Sequence, residues 1–557
     1  MSDVVNVAAR LAEFARSRPH AIAIAAAVAE PKRGGPRYRT ATFAQLDADS
    51  DRIADGLRAW GVPHGARLAL LVKPSIEFVT LVFSLLKAGM VQVLIDPGMG
   101  RKNLIRCLTE TKPDGFVAIP PVQVIRTVLR HKFPRARWNV TVGTKRWFWN
   151  GLALDDIRKL SGDAGEDDAK IAATRADESA AIIFTTGSTG PPKGVLYRHG
   201  NFDKQVTEIR DRYGIAPGET NLACFPLFGL FNAAMGVTTV IPDMDASRPA
   251  SVDPRKIVEP MIDWSVTQSF ASPAVWNKVG NYCASRQIQL PTLRAAYSAG
   301  APVPPRVLET MLSCLPAGAQ MHTPYGATEA LPVATIEARE VLDETRHAWA
   351  AGKGTCVGTQ FLGIEWKVIQ IHDGPICTFD RARELPTGEI GELIVRGPVV
   401  TSRYVTRVEA NATAKIHDDA GYWHRMGDAG YLDDRGRFWF CGRVGHRVQT
   451  ATGTLFTDPV EGIFNQHEFV ARTALVGVGA AGNQKAILVV EPKQIGGPTE
   501  FLLDELSEMS RQSEITRSIY EFLVYPTTFP VDIRHNSKIF REQLAVWAEA
   551  ELKKQRT

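Results

Sequence analysis

A chain of 557 residues, 45% hydrophobic and 22% charged, has the make-up of an ordinary globular protein and room for about three or four domain-sized units. Its 65 Lys+Arg against 60 Asp+Glu, with no long basic block, disfavour nucleic acid as a partner. Seven scattered cysteines with no Cys-x-x-Cys pair argue against a zinc site and for a reducing compartment.

The N-terminal stretch carries Asp3, Glu13 and several arginines and lacks the ordered regions of a signal peptide. Residues 5–60 predict two amphipathic helices around an Arg/Gly/Pro-rich turn at 31–37, with Leu46, Ile53, Leu57 and Trp60 recurring on a core-facing side. Residues 68–72 read as a strand, followed by a helix to about Lys87 and a strand over 91–95. That alternation marks a parallel α/β sheet. The apolar segment 78–95 is broken by Lys87, Gly89 and Gln92, so it predicts a buried helix and a core strand instead of a membrane span. A cytoplasmic protein without an integral membrane span is expected. A second strand–helix unit starts near Leu104 and runs through 115–119, and the acidic stretch 161–178 reads as an exposed linker.

The linker delivers the chain to a short buried strand, 180–184, that runs into Thr185-Thr186-Gly187-Ser188-Thr189-Gly190-Pro191-Pro192-Lys193-Gly194. Glycines let backbone N–H groups approach an anion without a Cβ in the way. The hydroxyls add donors and Lys193 adds positive charge, which is the composition of a phosphate-gripping loop. It is not a P-loop, because Gly-x4-Gly-Lys-[Ser/Thr] does not fit and Lys193 is followed by glycine.

Downstream, 222–231 and 235–241 are nearly continuous apolar runs with buried sheet as the default expectation. In a second reading Phe225, Phe228, Phe231 and Met235, with Phe270, line a tunnel for an acyl chain. A strand at 293–297 ends in Ser298-Ala299-Gly300-Ala301-Pro302, and His322-Thr323-Pro324-Tyr325-Gly326-Ala327-Thr328-Glu329 is read as a loop after another strand. Open α/β sheets bind ligands at such places. From Gly388 the pattern turns to β, with a hairpin turning at Asp433 to Gly436. The tail predicts strands at 470–478 and 486–490, a helix near 499–523, a loop over 530–539 and a final helix over 540–553. There is no Gly-x-Ser-x-Gly elbow and no His-Glu-x-x-His pair.

The loop at 185–194, the segments 298–302 and 322–329, Asp428, Gly442-Arg443 and Lys538 occur in one order that resembles the adenylate-forming superfamily of acyl-CoA synthetases, luciferases and peptide-synthetase adenylation domains. The resemblance implies a large N-terminal domain of α/β subdomains plus a β-rich subdomain, residues 1–442, and a small mobile α+β lid, 443–557. It implies ATP and Mg²⁺ as cofactors and a carboxylate substrate. Thr185 to Gly190 and Lys193 would hold phosphates, and Gly300, Ala301, Pro302, Tyr325, Gly326 and Thr328 would surround the nucleotide. Asp428 and Arg443 would take the ribose. Glu329 and Thr189 would hold the metal, and Lys538, Glu329 and Thr189 would carry the catalysis. Glu329 suits Mg²⁺, which is held by a carboxylate or two plus phosphate oxygens. Two positions after Arg443 the family usually has a charged hinge residue, whereas this chain has Gly445.

Two departures from the common acyl-CoA synthetase pattern narrow the resemblance. Pro226-Leu227-Phe228-Gly229 has glycine where histidine is usual, and Arg534-His535-Asn536-Ser537-Lys538 replaces a Lys-Thr-x-x-Gly-Lys run. With 195–199, 241–245 and 529–532, these resemble one branch, the β-lactone-forming synthetases of long-chain olefin biosynthesis. That branch implies a 2-alkyl-3-hydroxy fatty acid whose own hydroxyl attacks the activated acyl carbon, and assembly with other enzymes of that pathway. His322 and His199 are candidates for the hydroxyl's base by proximity to motifs, with a structural role the alternative for each. A fatty acyl-CoA synthetase or acyl-AMP ligase, and a non-catalytic acyl- or nucleotide-binding subunit, stand beside this reading.

Overall fold

The computed structural model describes residues 4–28, 37–162, 170–185, 190–225, 228–496, 500–531 and 538–555. Among these residues the first half of the chain builds two α/β sheets. The seven-stranded one runs 152–153, 138–141, 115–118, 67–71, 91–94, 179–184 and 194–198, and only its last pairing is antiparallel. The nine-stranded one runs 359–360, 330–337, 320–327, 295–298, 268–271, 220–223, 238–241, 22–27 and 38–42, parallel in the middle and antiparallel at both ends.

The helices Phe43–Ala59 and Ile76–Lys87 pack between these sheets, in a core shared by Ile24 of one sheet and Leu68 and Leu70 of the other. Each begins with a side-chain cap: the Thr42 hydroxyl accepts from Gln45 N at 3.2 Å, and the Ser75 hydroxyl accepts from Phe78 N at 3.2 Å. Ile76–Lys87 is buried almost all round, which is why its stretch is so apolar. Its one basic residue, Lys87, has no exposed side-chain surface and meets Asp47 and Asp51 of the neighbouring helix at 2.5 Å each. A lysine placed against two carboxylates one helical turn apart belongs to a protein core, not to lipid. No helix among the described residues is long and apolar enough to cross a membrane.

An antiparallel six-stranded sheet follows, built on Gly391–Arg396, Gly421–Leu432 and Phe438–Arg443. The last unit is a three-stranded sheet, Val470–Val478, Lys485–Pro492 and Glu521–Val524. Its alternating residues feed two clusters, Leu475, Leu488 and Val490 against the helix Glu500–Gln512, and Ala474, Ile487 and Val489 against the helix Arg541–Gln555. The chain thus has the mixed α/β architecture expected, with a large N-terminal part and a small α+β C-terminal part.

Four local expectations are corrected. Residues 5–60 do hold two helices, Ala8–Ser17 and Phe43–Ala59, but strands Ile22–Ala27 and Tyr38–Thr42 lie between them, because alanine-rich 22–27 pairs in parallel with Thr238–Ile241 and long-range pairing overrides alanine's helix preference. The apolar run after Phe225 is not sheet: Phe228–Ala234 is helical, a short apolar run being ambiguous by period alone. His322 to Ala327 lie inside the strand Gln320–Ala327, and only the turn that follows is loop. The helix near 500 stops at Gln512, and residues 521–524 add a parallel strand to Lys485–Pro492.

Candidate active site

The strands Ser179–Phe184 and Gly194–Arg198 pair antiparallel and carry the ends of the Gly/Ser/Thr loop. Thr185 N donates to Lys193 O at 3.0 Å, Lys193 N donates to the Thr185 hydroxyl at 3.1 Å, and Gly194 N donates to the Thr406 hydroxyl at 2.8 Å. Gly190 takes φ +144 with open space where a Cβ would stand. Thr186, Gly187, Ser188 and Thr189 lie outside the described residues.

Lys193 Nζ sits 4.9 Å from the centre of the Tyr404 ring, and the Tyr404 hydroxyl donates to Glu329 Oε1 at 2.6 Å. Burial and the adjacent Glu329 charge push the Tyr404 phenol far above its ordinary range, so it stays a donor. The Glu329 carbonyl is held in turn by Thr401 N at 2.8 Å and the Thr401 hydroxyl at 2.9 Å. Beneath lies Lys415, buried, donating to the Thr401 carbonyl, with its pKa pulled down to about 7 by burial. His424 beside it is held neutral by burial and the Lys415 charge.

At the other end, Asp428 and Arg443 are register partners in the strands Gly421–Leu432 and Phe438–Arg443. Arg443 Nη1 meets Asp428 Oδ1 at 2.6 Å and the Met426 carbonyl at 2.9 Å, while the Tyr325 hydroxyl donates to Asp428 Oδ2. A Cβ on Gly427, at φ +67, would stand 3.0 Å from Arg443 Nη2, so this close approach suits glycine.

These groups share one cleft of 2720 Å³. Thr185, Gly190, Lys193, Glu329 and Thr328 line it, as do Tyr325, Gly326, Asp428 and Arg443. Gly300, Ala301 and Pro302, after the strand Ala295–Ser298, line the same space. Phe225, Phe231, Met235 and Phe270 form an apolar extension, with Phe225 and Phe270 ring centres 6.5 Å apart. The side chain of Phe228 is outside the described residues. A Cβ on Gly229 would press on the Thr239 methyl at 3.3 Å, so the histidine usual at this position would have to move it.

Lys538 lines this cleft too, on the C-terminal part of the chain. Nearby, Arg541 grips Glu461 through two N–O contacts of 2.5 and 2.9 Å, and the Thr355 hydroxyl donates to Asp458 at 2.8 Å. Lys193 and Lys538 therefore share a single cleft. Neither His322 nor His199 lines it, and burial pulls both down to about 4. His322 instead stacks among Tyr213 and Tyr297, with ring centres 5.0 and 6.0 Å away. Tyr404, in an irregular segment, and Lys415, at the start of the short strand Lys415–Asp418, escaped the sequence reading, because a single residue carries no period or spacing.

Residues 11–405 match the AMP-binding enzyme family, and the chain belongs to that family. Within it the chain is 46% identical to the olefin beta-lactone synthetase of Stenotrophomonas maltophilia, covering 100% of each chain. It is likewise 46% identical to the olefin beta-lactone synthetase of Xanthomonas campestris pv. campestris, with 98% of each covered. Its fold is similar to the amide bond synthetase McbA of Marinactinospora thermotolerans, with a TM-score of 0.76, 20% identity, and 97% and 99% of the two chains covered.

Proposed function

We propose that the protein activates a 2-alkyl-3-hydroxy fatty acid with ATP as its acyl-AMP, and that the 3-hydroxyl then closes a β-lactone and expels AMP. The carrying observation is end-to-end similarity to two olefin beta-lactone synthetases, supported by a cleft in which phosphate-side and acyl-side groups meet. A carboxylate resists attack because it is anionic and its leaving group would be oxide; joining it to AMP removes both obstacles. Two anions must first be brought together, and Lys193 and Lys538 supply the compensating charge. Asp428, an acceptor-only group, suits two ribose hydroxyl donors, while Tyr325 and Gly300 to Pro302 flank the base. Glu329 would supply an oxygen ligand for Mg²⁺, with Thr189 its partner. The fit rests on a single carboxylate held by Tyr404, since no group of three metal-ligating side chains exists among the described residues. Mg²⁺ would offset phosphate charge there. Phe225, Phe228, Phe231, Met235 and Phe270 take an alkyl arm.

Residues 1–442 form the large domain and 443–557 a lid hinged near Gly445, a division favoured by the separate cores of the three-stranded sheet. A cytoplasmic place beside the other enzymes of olefin formation completes the reading. Incubation with ATP, Mg²⁺ and a 2-alkyl-3-hydroxy acid without CoA should yield lactone, AMP and pyrophosphate. Acyl-AMP alone, or turnover only with a thiol, would overturn lactone synthesis.

A further inference from the structure

Gln205 sits on the buried face of the helix His199–Tyr213, 1% exposed, and lines the cleft. Its Nε2 donates to the Leu331 carbonyl at 2.7 Å. A carbonyl can only accept, so this bond fixes which end of the amide is which. Oε1 is left without a partner. The neighbouring phenol of Tyr197, against which the amide lies, cannot serve it: that hydroxyl donates to the Thr328 carbonyl at 2.6 Å. A buried amide oxygen without a donor is costly and uncommon, and asks for a ligand that brings one.

Its position narrows what that ligand is. Leu331 and Thr328 bracket Glu329, so the orphan acceptor stands beside the turn that carries the proposed metal carboxylate. The unpartnered amide oxygen of Asn221, by contrast, belongs to a side chain that faces Gln268 within the nine-stranded sheet. In a 2-alkyl-3-hydroxy acid the 3-hydroxyl is the donor nearest the reacting carbon. We propose that Gln205 Oε1 accepts a hydrogen bond from the substrate's 3-hydroxyl and holds its oxygen against the acyl carbon.

This inference rests on the lactone-forming reading above. In the step it serves, the O3–C1 bond forms while the C1–O bond to phosphate breaks and AMP leaves with the electron pair. The hydroxyl proton passes to the departing phosphate or to water. An amide oxygen is no base at neutral pH, so Gln205 acts as a positioning residue and selects for hydroxylated acids.

The test separates positioning from structure. Gln205→Met keeps the length and loses the acceptor. Lactone formation from the 3-hydroxy acid should fall about tenfold or more, the order expected for a lost hydrogen bond. Pyrophosphate exchange with the 3-deoxy 2-alkyl acid should stay within about twofold of wild type. Equal losses in both reactions, or no loss of lactone formation, would overturn the proposal. Should the variant not fold, the wild type decides: a 3-O-methyl ether, which cannot donate, should exchange no better than the 3-deoxy acid, and exchange matching the free hydroxyl refutes the contact. Failure of the wild type to exchange pyrophosphate with any of these acids would sink the enzymatic reading itself, a different outcome.

Discussion

Tyr404 belongs to no motif, yet it joins the two charges on which adenylation depends: its ring lies under Lys193 and its hydroxyl holds Glu329. Tyr404→Phe keeps the ring and frees the carboxylate. A hydrogen bond to a charged group contributes about 1.5–3 kcal/mol, so pyrophosphate exchange should fall by about tenfold or more, with some loss of thermal stability. Unchanged exchange would mean that Glu329 is held well enough by its backbone. Gln205 makes the same point from the acyl side, since its meaning comes from the partner it lacks.

At the scale of elements, the helix Ile76–Lys87 shows how a core tolerates a charge. Lys87 is balanced by Asp47 and Asp51, which stand one turn apart on Phe43–Ala59. Burial raises the Asp47 carboxyl while the lysine opposes it. Lys87→Met would fit the volume and leave two facing carboxylates without their counter-ion. Breaking such a group costs about 3–5 kcal/mol, so a clearly lowered midpoint in urea is expected, and an unshifted one would show that water already reaches the pair.

Across the whole molecule, the C-terminal part meets the six-stranded sheet at Gly442 and, through Asp458, at Thr355. A Cβ on Gly442, at φ +124, would fall 2.2 Å from the Thr457 hydroxyl, so the helix Thr457–Phe464 seats directly on the last strand of the six-stranded sheet. Asp458 follows in that helix, and burial, with Glu461 adding to it against the Thr355 bond, moves its carboxyl from 3.8 to about 7. The folded protein therefore holds a proton between about pH 4 and 7 that the unfolded chain releases. This contribution is complete below the lower value and is lost as pH rises through the upper one. Asp458→Asn, always neutral, should match wild type near pH 3 and melt higher at pH 8. Parallel melting curves at both pH values would place Asp458 in water.

The strand–helix alternation from residue 67 to 118, the strand before the Gly/Ser/Thr loop and the β hairpin at 433–436 were legible because local period and turn chemistry specify them. So was the order of motif residues, since composition survives without coordinates. What the chain could not announce was Ile22–Ala27 as a strand, Phe228–Ala234 as a helix, or Tyr404 and Gln205 as site residues. Each depends on a partner more than a hundred residues away or, for the helix, on which of two equally apolar surfaces it meets. Local chemistry wrote the vocabulary of this site, while long-range packing chose which atoms touch, because contact energies between distant residues leave no trace in the spacing of either one.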